Sequence, residues 1–79
     1  MRLLYLATTG PGDPTKASIP LHLAANGSAE AGQECAVALA GDAIELVRRE
    51  TAERLEGIGI PPVRELLQKL RDNEIPVYV

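Results

Sequence analysis

Two aspartates are the first residues in this sequence that could take part in acid–base chemistry. Asp13 follows the turn Gly10-Pro11-Gly12, and Asp42 follows Gly41 at the end of an apolar run. Two carboxylates that converge in one crevice can serve as general acid and general base. An aspartate just before a helix also accepts hydrogen bonds from the free amides of the first turn. Helix capping is the simpler explanation for both aspartates, and we prefer it. An acid–base pair remains an alternative.

Cys35 and His22 are the only cysteine and the only histidine of the chain. A single cysteine cannot form an internal disulfide, and these two residues alone do not make a zinc site. Cys35 lies near the start of an apolar run, where we expect a buried, unreactive thiol that packs in the core. His22 falls one position off the apolar face of a helical segment, and we expect it at the surface or boundary. The residues indicate no metal and no cofactor.

Residues 8–13 (TTGPGD) form a glycine-containing turn before a helix, which is a common place for phosphate. A phosphate-binding loop would need a glycine before Lys16 and a serine or threonine after it, but Thr15 and Ala17 stand there. Asp13 also places a negative charge where phosphate oxygens would lie. The glycine pattern of a dinucleotide site is incomplete as well. We therefore interpret this segment as a capped turn.

Apolar patterning predicts the elements that would position these residues. Apolar runs at 2–7, 34–40 and 75–79 predict strands, while helical spacing predicts helices over 15–31, from Ala43 and from Pro62. The first run lacks alternation, which is typical of a strand buried on both faces. Strands alternating with helices predict an α/β fold with a parallel sheet and helices on both faces. Right-handed crossovers with one reversal of direction predict strand order 2-1-3.

The carboxyl ends of the strands would then form a ligand crevice where the strand order reverses. The turns after the first two strands supply the candidate crevice residues. These are Thr8, Thr9, Gly10, Asp13, Gly41 and Asp42. No catalytic residue can be assigned among them from the sequence.

Length and composition limit the class of protein. The chain has 79 residues, of which 46% are hydrophobic, 24% charged and 3% aromatic, with a net charge of −3. This length allows a single domain, over residues 1–79. An acidic chain without clusters of aromatic and basic residues is not expected to bind nucleic acid or an anionic membrane. Neither a signal peptide nor a membrane span is predicted, so the expected location is cytoplasmic.

Three segments, taken in order, resemble the DsrE/DsrF-like family. They are residues 3–14 (LLYLATTGPGDP), 37–43 (VALAGDA) and 57–67 (GIGIPPVRELL). The resemblance implies a flavodoxin-like three-layer α/β/α sandwich. It also implies a role in sulfur relay, in which related proteins carry a persulfide on a cysteine that follows a strand like 75–79. A thiol near helix N-termini at that position would have a lowered pKa and would exchange sulfur with a partner.

No cysteine follows the last predicted strand in this chain, and Cys35 does not replace it. We therefore expect the domain to be incomplete at its C-terminus and to lack the sulfur-carrying cysteine. The leading hypothesis is a domain related to persulfide carriers, with a sulfur-transfer protein as partner, rather than a turnover enzyme. The alternative is a non-catalytic module that binds a small ligand or forms oligomers through the same crevice. An enzyme that uses Asp13 or Asp42 is a third hypothesis. Uncovered sheet edges in so small a domain also predict a homo-oligomer.

Overall fold

The structure, a computed structural model, describes residues 2–79. Three strands and five helical segments follow one another within these residues. Their bounds are β1 Arg2–Ala7, α1 Pro14–His22, a π-helix Leu23–Ser28, β2 Glu34–Leu39, a 3₁₀-helix Gly41–Val47, α2 Arg49–Arg54, α3 Val63–Asp72 and β3 Val77–Tyr78. The three predicted strands are all present, and the first has the predicted bounds.

The strands form one parallel sheet with β2 in the centre. β1 pairs with β2 along its whole length, from Arg2 opposite Glu34 to Ala7 opposite Leu39. β3 is short and pairs with the second half of β2, where Val37 lies opposite Val77. Because all three strands run in the same direction, their carboxyl ends meet at one edge of the sheet.

The predicted strand order 2-1-3 is wrong, since the observed order is 1-2-3. Two right-handed crossovers in the same direction place their helices on the same face of the sheet. Accordingly, α3 packs against both α1 and α2 in a single layer. A reversed order would have placed α1 and α3 on opposite faces and separated their apolar sides. Within residues 2–79, the second helical layer of the expected sandwich is therefore not formed.

As a consequence, one face of the sheet is not covered by any helix of residues 2–79 and is called the bare face below. Leu4 and Leu6 of β1 are 65% and 62% exposed, whereas Ala7 and Val37 are buried under the helices. The prediction that the first strand is buried on both faces is thus wrong. The apolar residues of this strand alternate between a face that the helices cover and a face that they leave exposed.

The core lies between the other face and the helical layer, and it is built from aliphatic side chains. Its largest fully buried side chains come from α1, β2, the 3₁₀-helix and α3. They are Leu21, Val37, Leu46, Val63, Leu66 and Leu70. The helical spacing of Val63, Leu66, Leu67 and Leu70 predicts that they form the inward face of the last helix. The prediction is confirmed, since Val63, Leu66 and Leu70 are buried and Leu67 is half-buried.

The helix predicted over 15–31 is divided in two. α1 contains Pro20, which has no backbone N–H to donate, and the chain widens into the π-helix directly after His22. The backbone N–H of Leu23 donates to the carbonyls of both Ile19 and Pro20 at this point. The helical segment ends at Ser28, before the predicted end at residue 31, and a turn follows that contains Gly32, whose φ of 71° favours glycine.

Polar contacts of Tyr5 and Lys69 attach the π-helix and the turn that follows it to the rest of the molecule. The hydroxyls of Tyr5 and Ser28 lie 2.7 Å apart and link it to β1. The Lys69 ammonium of α3 donates to the side-chain oxygen of Asn26 and lies 3.3 Å from a carboxylate oxygen of Glu30. These contacts hold the π-helix between the sheet and α3.

Candidate functional site

The turns that follow β1 and β2 touch each other at the carboxyl edge of the sheet. The backbone N–H of Ala40 donates to the carbonyl of Ala7 at 2.9 Å, which extends the pairing of the strands into the turns. Beyond that bond, Gly10 is buried against Asp42. A Cβ atom placed on Gly10 would lie 2.8 Å from the Cβ of Asp42. Gly41 has a φ of 57°, a conformation that glycine adopts without strain. The structure thus brings together three of the candidate crevice residues: Gly10, Gly41 and Asp42.

Asp13 lies at the start of α1, where its side chain accepts a hydrogen bond from the backbone N–H of Lys16 at 3.1 Å. Its own N–H donates to the carbonyl of Gly10 at 3.3 Å, which closes the turn. The prediction that Asp13 caps this helix is confirmed. One carboxylate of the hypothetical acid–base pair is therefore engaged with the backbone.

The prediction that Asp42 caps a helix from Ala43 is wrong. Asp42 lies in the first turn of the 3₁₀-helix, whose N-cap residue is Ala40 and which has no side-chain cap hydrogen bond. The helix predicted from Ala43 is also interrupted, because Arg48 has an extended conformation with ψ of 133°. Asp42 is exposed at the edge of the sheet. Its negative charge interacts favourably with the free amides of the first helical turn, although its side chain accepts no hydrogen bond from them.

Thr8 and Thr9 line a separate depression of about 290 Å³ beside β1. Its other lining residues include Leu6, Ile19 and Lys16. The ammonium group and the two hydroxyls can donate hydrogen bonds to an anionic group. Lys16 is not among the crevice residues predicted from the sequence. The sequence did offer a signal, because Lys16 lies in the first helical turn after Asp13, next to residues 8–13.

The third of the segments on which the family resemblance rests also reaches this end of the molecule. A Cβ atom on Gly57 would lie 2.8 Å from the Cα of Thr15, so the loop before α3 packs directly on the start of α1. The backbone N–H of Ile58 donates to the Thr15 hydroxyl at 2.9 Å. All three segments therefore meet near the carboxyl edge, although they are far apart in the sequence.

Cys35 lies near the opposite edge of the sheet. It is the second residue of β2, is buried, and borders a cavity of about 420 Å³ whose lining also includes Arg2, Gln33 and Tyr78. The prediction of a buried thiol away from the crevice is confirmed. His22 is half-buried, with its Nδ1 3.0 Å from the side-chain nitrogen of Asn26, so it is a boundary residue as predicted.

Among residues 2–79, no three His, Cys, Asp or Glu side chains lie close enough together to hold a metal ion. No helix within the same residues is both long enough and apolar enough to cross a membrane.

The cap formed by Asp13 leads to a measurable prediction. Asp13→Ala removes the hydrogen bond to the Lys16 amide, and we expect it to lower the free energy of unfolding by about 1 kcal/mol. Asp13→Asn keeps an oxygen acceptor and should cost much less. Urea unfolding followed by circular dichroism at 222 nm measures both values. Equal losses in the two variants would show that the side chain does not cap α1 in solution.

Comparison with known proteins agrees with this arrangement. The model of the DsrE/DsrF-like family matches residues 1–79, the whole chain. Searches of curated proteins and of solved structures returned no match. The α/β fold with a parallel sheet is consistent with the flavodoxin-like fold that the resemblance implies. The chain therefore belongs to the DsrE/DsrF-like family.

Proposed function

We propose that this domain forms the crevice of a sulfur-relay protein and that the thiol carrying the sulfur is not among its 79 residues. Family membership supports the sulfur-relay context. The position of Cys35 is the observation that supports the absence of the sulfur-carrying thiol from these 79 residues. Cys35 is the only cysteine, it is buried, and it lies toward the edge of the sheet opposite the touching turns at Gly10 and Asp42.

The carboxyl edge suits a reactive thiol for electrostatic reasons. α1 and the 3₁₀-helix both begin there, and helix N-termini carry a partial positive charge. Lys16 adds a full positive charge beside Thr8 and Thr9. A thiol above this edge that lies closer to Lys16 and the helix amides than to the carboxylates of Asp13 and Asp42 would have a lowered pKa and would be a thiolate more often at neutral pH.

The transfer step is a thiol exchange. The thiolate attacks the outer sulfur of a donor persulfide R–S–SH, forms a new S–S bond and breaks the S–S bond of the donor. The donor leaves as the thiolate R–S⁻, so that charge and atoms balance. The donor or acceptor would be a sulfur-transfer protein. A cytoplasmic location suits this chemistry because thiols are kept reduced there.

A non-catalytic module that binds a small ligand or forms oligomers is the second candidate function. Two observations favour it. The depression beside Thr8 and Thr9 has a volume of about 290 Å³ and a lysine at its wall. The bare face of the sheet also offers an apolar surface to another protein.

A cysteine introduced at the carboxyl edge tests the leading proposal. Val79 directly follows β3 at this edge and is 75% exposed, so Val79→Cys in a Cys35→Ala background places a thiol there. The matched control is Ala31→Cys in the same background, because Ala31 is exposed and lies close before the first residue of β2, at the opposite edge. With glutathione persulfide at pH 7, we expect both introduced cysteines to gain one sulfur atom, about 32 Da. The rate of this uptake should be about three to ten times higher for Val79→Cys.

The unaltered protein provides the other half of this experiment. Its buried Cys35 should gain no sulfur over the same period, as read by intact mass spectrometry. Equal rates for the two introduced cysteines would show that the carboxyl edge does not activate a thiol. A sulfur adduct on Cys35 would show that the native chain carries its own acceptor. Either result would contradict the proposed function.

A further inference from the structure

Gly27 is a glycine that the fold does not require. It lies inside the π-helix Leu23–Ser28, has no positive φ, and a Cβ atom placed on it would have no heavy atom within 4 Å. Glycine inside a helix lowers stability relative to alanine, because the unfolded chain then has more conformations to lose. An alanine would therefore fit here and stabilise the helix. What the glycine does provide is a main-chain nitrogen beside Asn26 that no Cβ on the same residue shields.

Asn26 and Gly27 together form a dipeptide in which the asparagine can lose its side-chain amide. The Gly27 nitrogen gives up its proton to water and attacks Cγ of Asn26, which closes a five-membered succinimide ring. The bond from Cγ to Nδ2 breaks, and the nitrogen takes up a proton and leaves as ammonia. Water then opens the ring at either carbonyl, which produces aspartate or isoaspartate. The net change is one water gained and one ammonia lost, without any oxidant or reductant.

The helical backbone keeps the two reacting atoms apart. A five-membered ring is nearly planar, so Cβ of Asn26 and the nitrogen of Gly27 must be almost eclipsed about the bond between Cα and the carbonyl carbon. His22 and Ala29, which border the π-helix, have ψ of −42° and −43°. At such helical values the two atoms stay roughly 80° from eclipsed. Ring closure therefore requires that this segment open locally.

Two contacts hold the Asn26 side chain in the closed arrangement. The Lys69 ammonium of α3 donates to its oxygen, and Lys69 itself lies 3.3 Å from a carboxylate oxygen of Glu30. Because an ammonium can only donate, this contact fixes which end of the amide is the oxygen. Nδ2 is then directed to His22 of α1, whose Nδ1 accepts from it at 3.0 Å. The amide is thus held between α1 and α3.

We propose that Asn26 is a deamidation site that these two contacts keep closed, so that the modification accumulates only on chains whose π-helix has opened. Opening exposes little apolar area, since the buried residues of the π-helix are the small Ala24, Ala25 and Ser28. It should therefore cost less free energy than global unfolding. The inference rests on contacts within the helical layer, and it depends neither on the bare face nor on a role in sulfur relay.

The two products have different consequences for the fold. Aspartate at position 26 keeps the main chain and places a carboxylate where Lys69 already donates, so that the contact becomes an ion pair. Isoaspartate adds one atom to the main chain just before Gly27. Ser28 is then displaced from Tyr5, whose hydroxyl it contacts at 2.7 Å. The isoaspartate form cannot close the π-helix again, and local opening of this segment becomes permanent.

Incubation of the full chain at pH 7.4 and 37 °C, either folded or in urea above its unfolding transition, tests the proposal. Trypsin releases residues 17–48 as one peptide, with Asn26 as its only asparagine, and mass spectrometry reads the gain of about 1 Da. We expect the unfolded chain to react at least about tenfold faster at Asn26 than the folded chain. Asn73 is the internal control, because a glutamate follows it, and it should react slowly in both states.

Substitutions of Lys69 test the contacts that keep the site closed. Lys69→Met removes the donor to Asn26 and should raise the rate in the folded chain severalfold, whereas Lys69→Arg keeps a donor and should stay close to the unaltered protein. The matched control is Lys16→Met, because Lys16 is exposed in the first turn of α1, beside Thr8 and Thr9. It should leave the rate at Asn26 unchanged. Circular dichroism shows that each variant is folded during the incubation.

Gly27→Ala separates the chemical role of the glycine from a structural one. It should raise the urea midpoint of unfolding, since nothing occupies the space of the added methyl group. It should also slow the reaction of the unfolded chain at Asn26 by about tenfold or more, because the methyl group shields the attacking nitrogen.

Four outcomes would overturn the proposal. Equal rates in the folded and unfolded chains would show that the fold does not keep the site closed. No reaction at Asn26 in the unfolded chain would show that the dipeptide is inert. A rate in Lys69→Met that is equal to that of Lys16→Met, or lower, would show that Lys69 does not restrain the amide. A Gly27→Ala variant less stable than the unaltered protein would show that the fold requires this glycine.

Discussion

Gly10→Ala should lower the free energy of unfolding by about 3 kcal/mol, because there is no space for a methyl group between the two turns of the carboxyl edge. The added Cβ would lie 2.8 Å from both the carbonyl carbon and the Cβ of Asp42. These atoms belong to the backbone or adjoin it, so they cannot move aside as the end of a flexible side chain would. The turns after β1 and β2 would have to separate. Urea unfolding followed by circular dichroism measures the loss.

Gly12 offers a matched control two residues further along the same turn. A Cβ atom there would have no heavy atom within 4 Å, and the residue does not have a positive φ. Gly12→Ala should therefore be neutral, or stabilise the protein by up to about 1 kcal/mol through the lower entropy of the unfolded chain. If both variants lost the same free energy, the contact between Gly10 and Asp42 would not exist in solution.

The same contact has a functional consequence under the proposed sulfur relay. Separated turns would change the electrostatic surroundings of a thiol at the carboxyl edge. In the Val79→Cys, Cys35→Ala background, Gly10→Ala should therefore reduce the advantage in sulfur uptake over the Ala31→Cys control. Gly12→Ala should leave this advantage unchanged.

Features that depend on neighbours in the sequence could be predicted from it. Residues within a few positions of one another predict the bounds of β1, the cap formed by Asp13 and the inward face of α3. The burial of Cys35 is predictable in the same way, since a small apolar side chain near the start of an apolar run has few other places to lie.

The order of the strands could not be predicted, because it depends on the direction in which the second crossover leaves the sheet. No residue in the 3₁₀-helix or in α2 specifies that direction locally. It is determined by the packing of α3 against both α1 and α2. The same packing explains why Leu4 and Leu6 are exposed. A run of apolar residues shows that both faces of a strand are apolar, but not that helices cover both.

The candidate crevice was predictable in location but not in detail. Parallel strands necessarily bring the turns after Ala7 and Leu39 to one edge. The distinct positions of Asp13 and Asp42 depend on whether an α-helix or a 3₁₀-helix follows, which their similar sequence contexts do not reveal. The packing of Gly57 on Thr15 depends on a loop more than forty residues away from the turn it supports.

Leu66→Ala should have an equally large effect, because a sheet covered on one face has a single core. Leu66 is fully buried in α3, between the helices and the sheet, and the chain contains no phenylalanine or tryptophan to fill a cavity there. We expect a loss of about 3 kcal/mol from the free energy of unfolding. A protein of this size has only about 4 to 12 kcal/mol in total, so the variant should lie close to its unfolding midpoint in mild denaturant.

Leu67→Ala is the matched control for this loss. The two leucines are adjacent in α3 and have the same helix propensity, but Leu67 is only half-buried and lines a surface depression next to Val47. It should lose about 1 kcal/mol. Both variants must be compared at one protein concentration, since a homo-oligomer that forms only from folded chains would add to the apparent stability. Equal losses would mean that α3 does not present Leu66 to the core, and the single helical layer would then be arranged differently from the one described above.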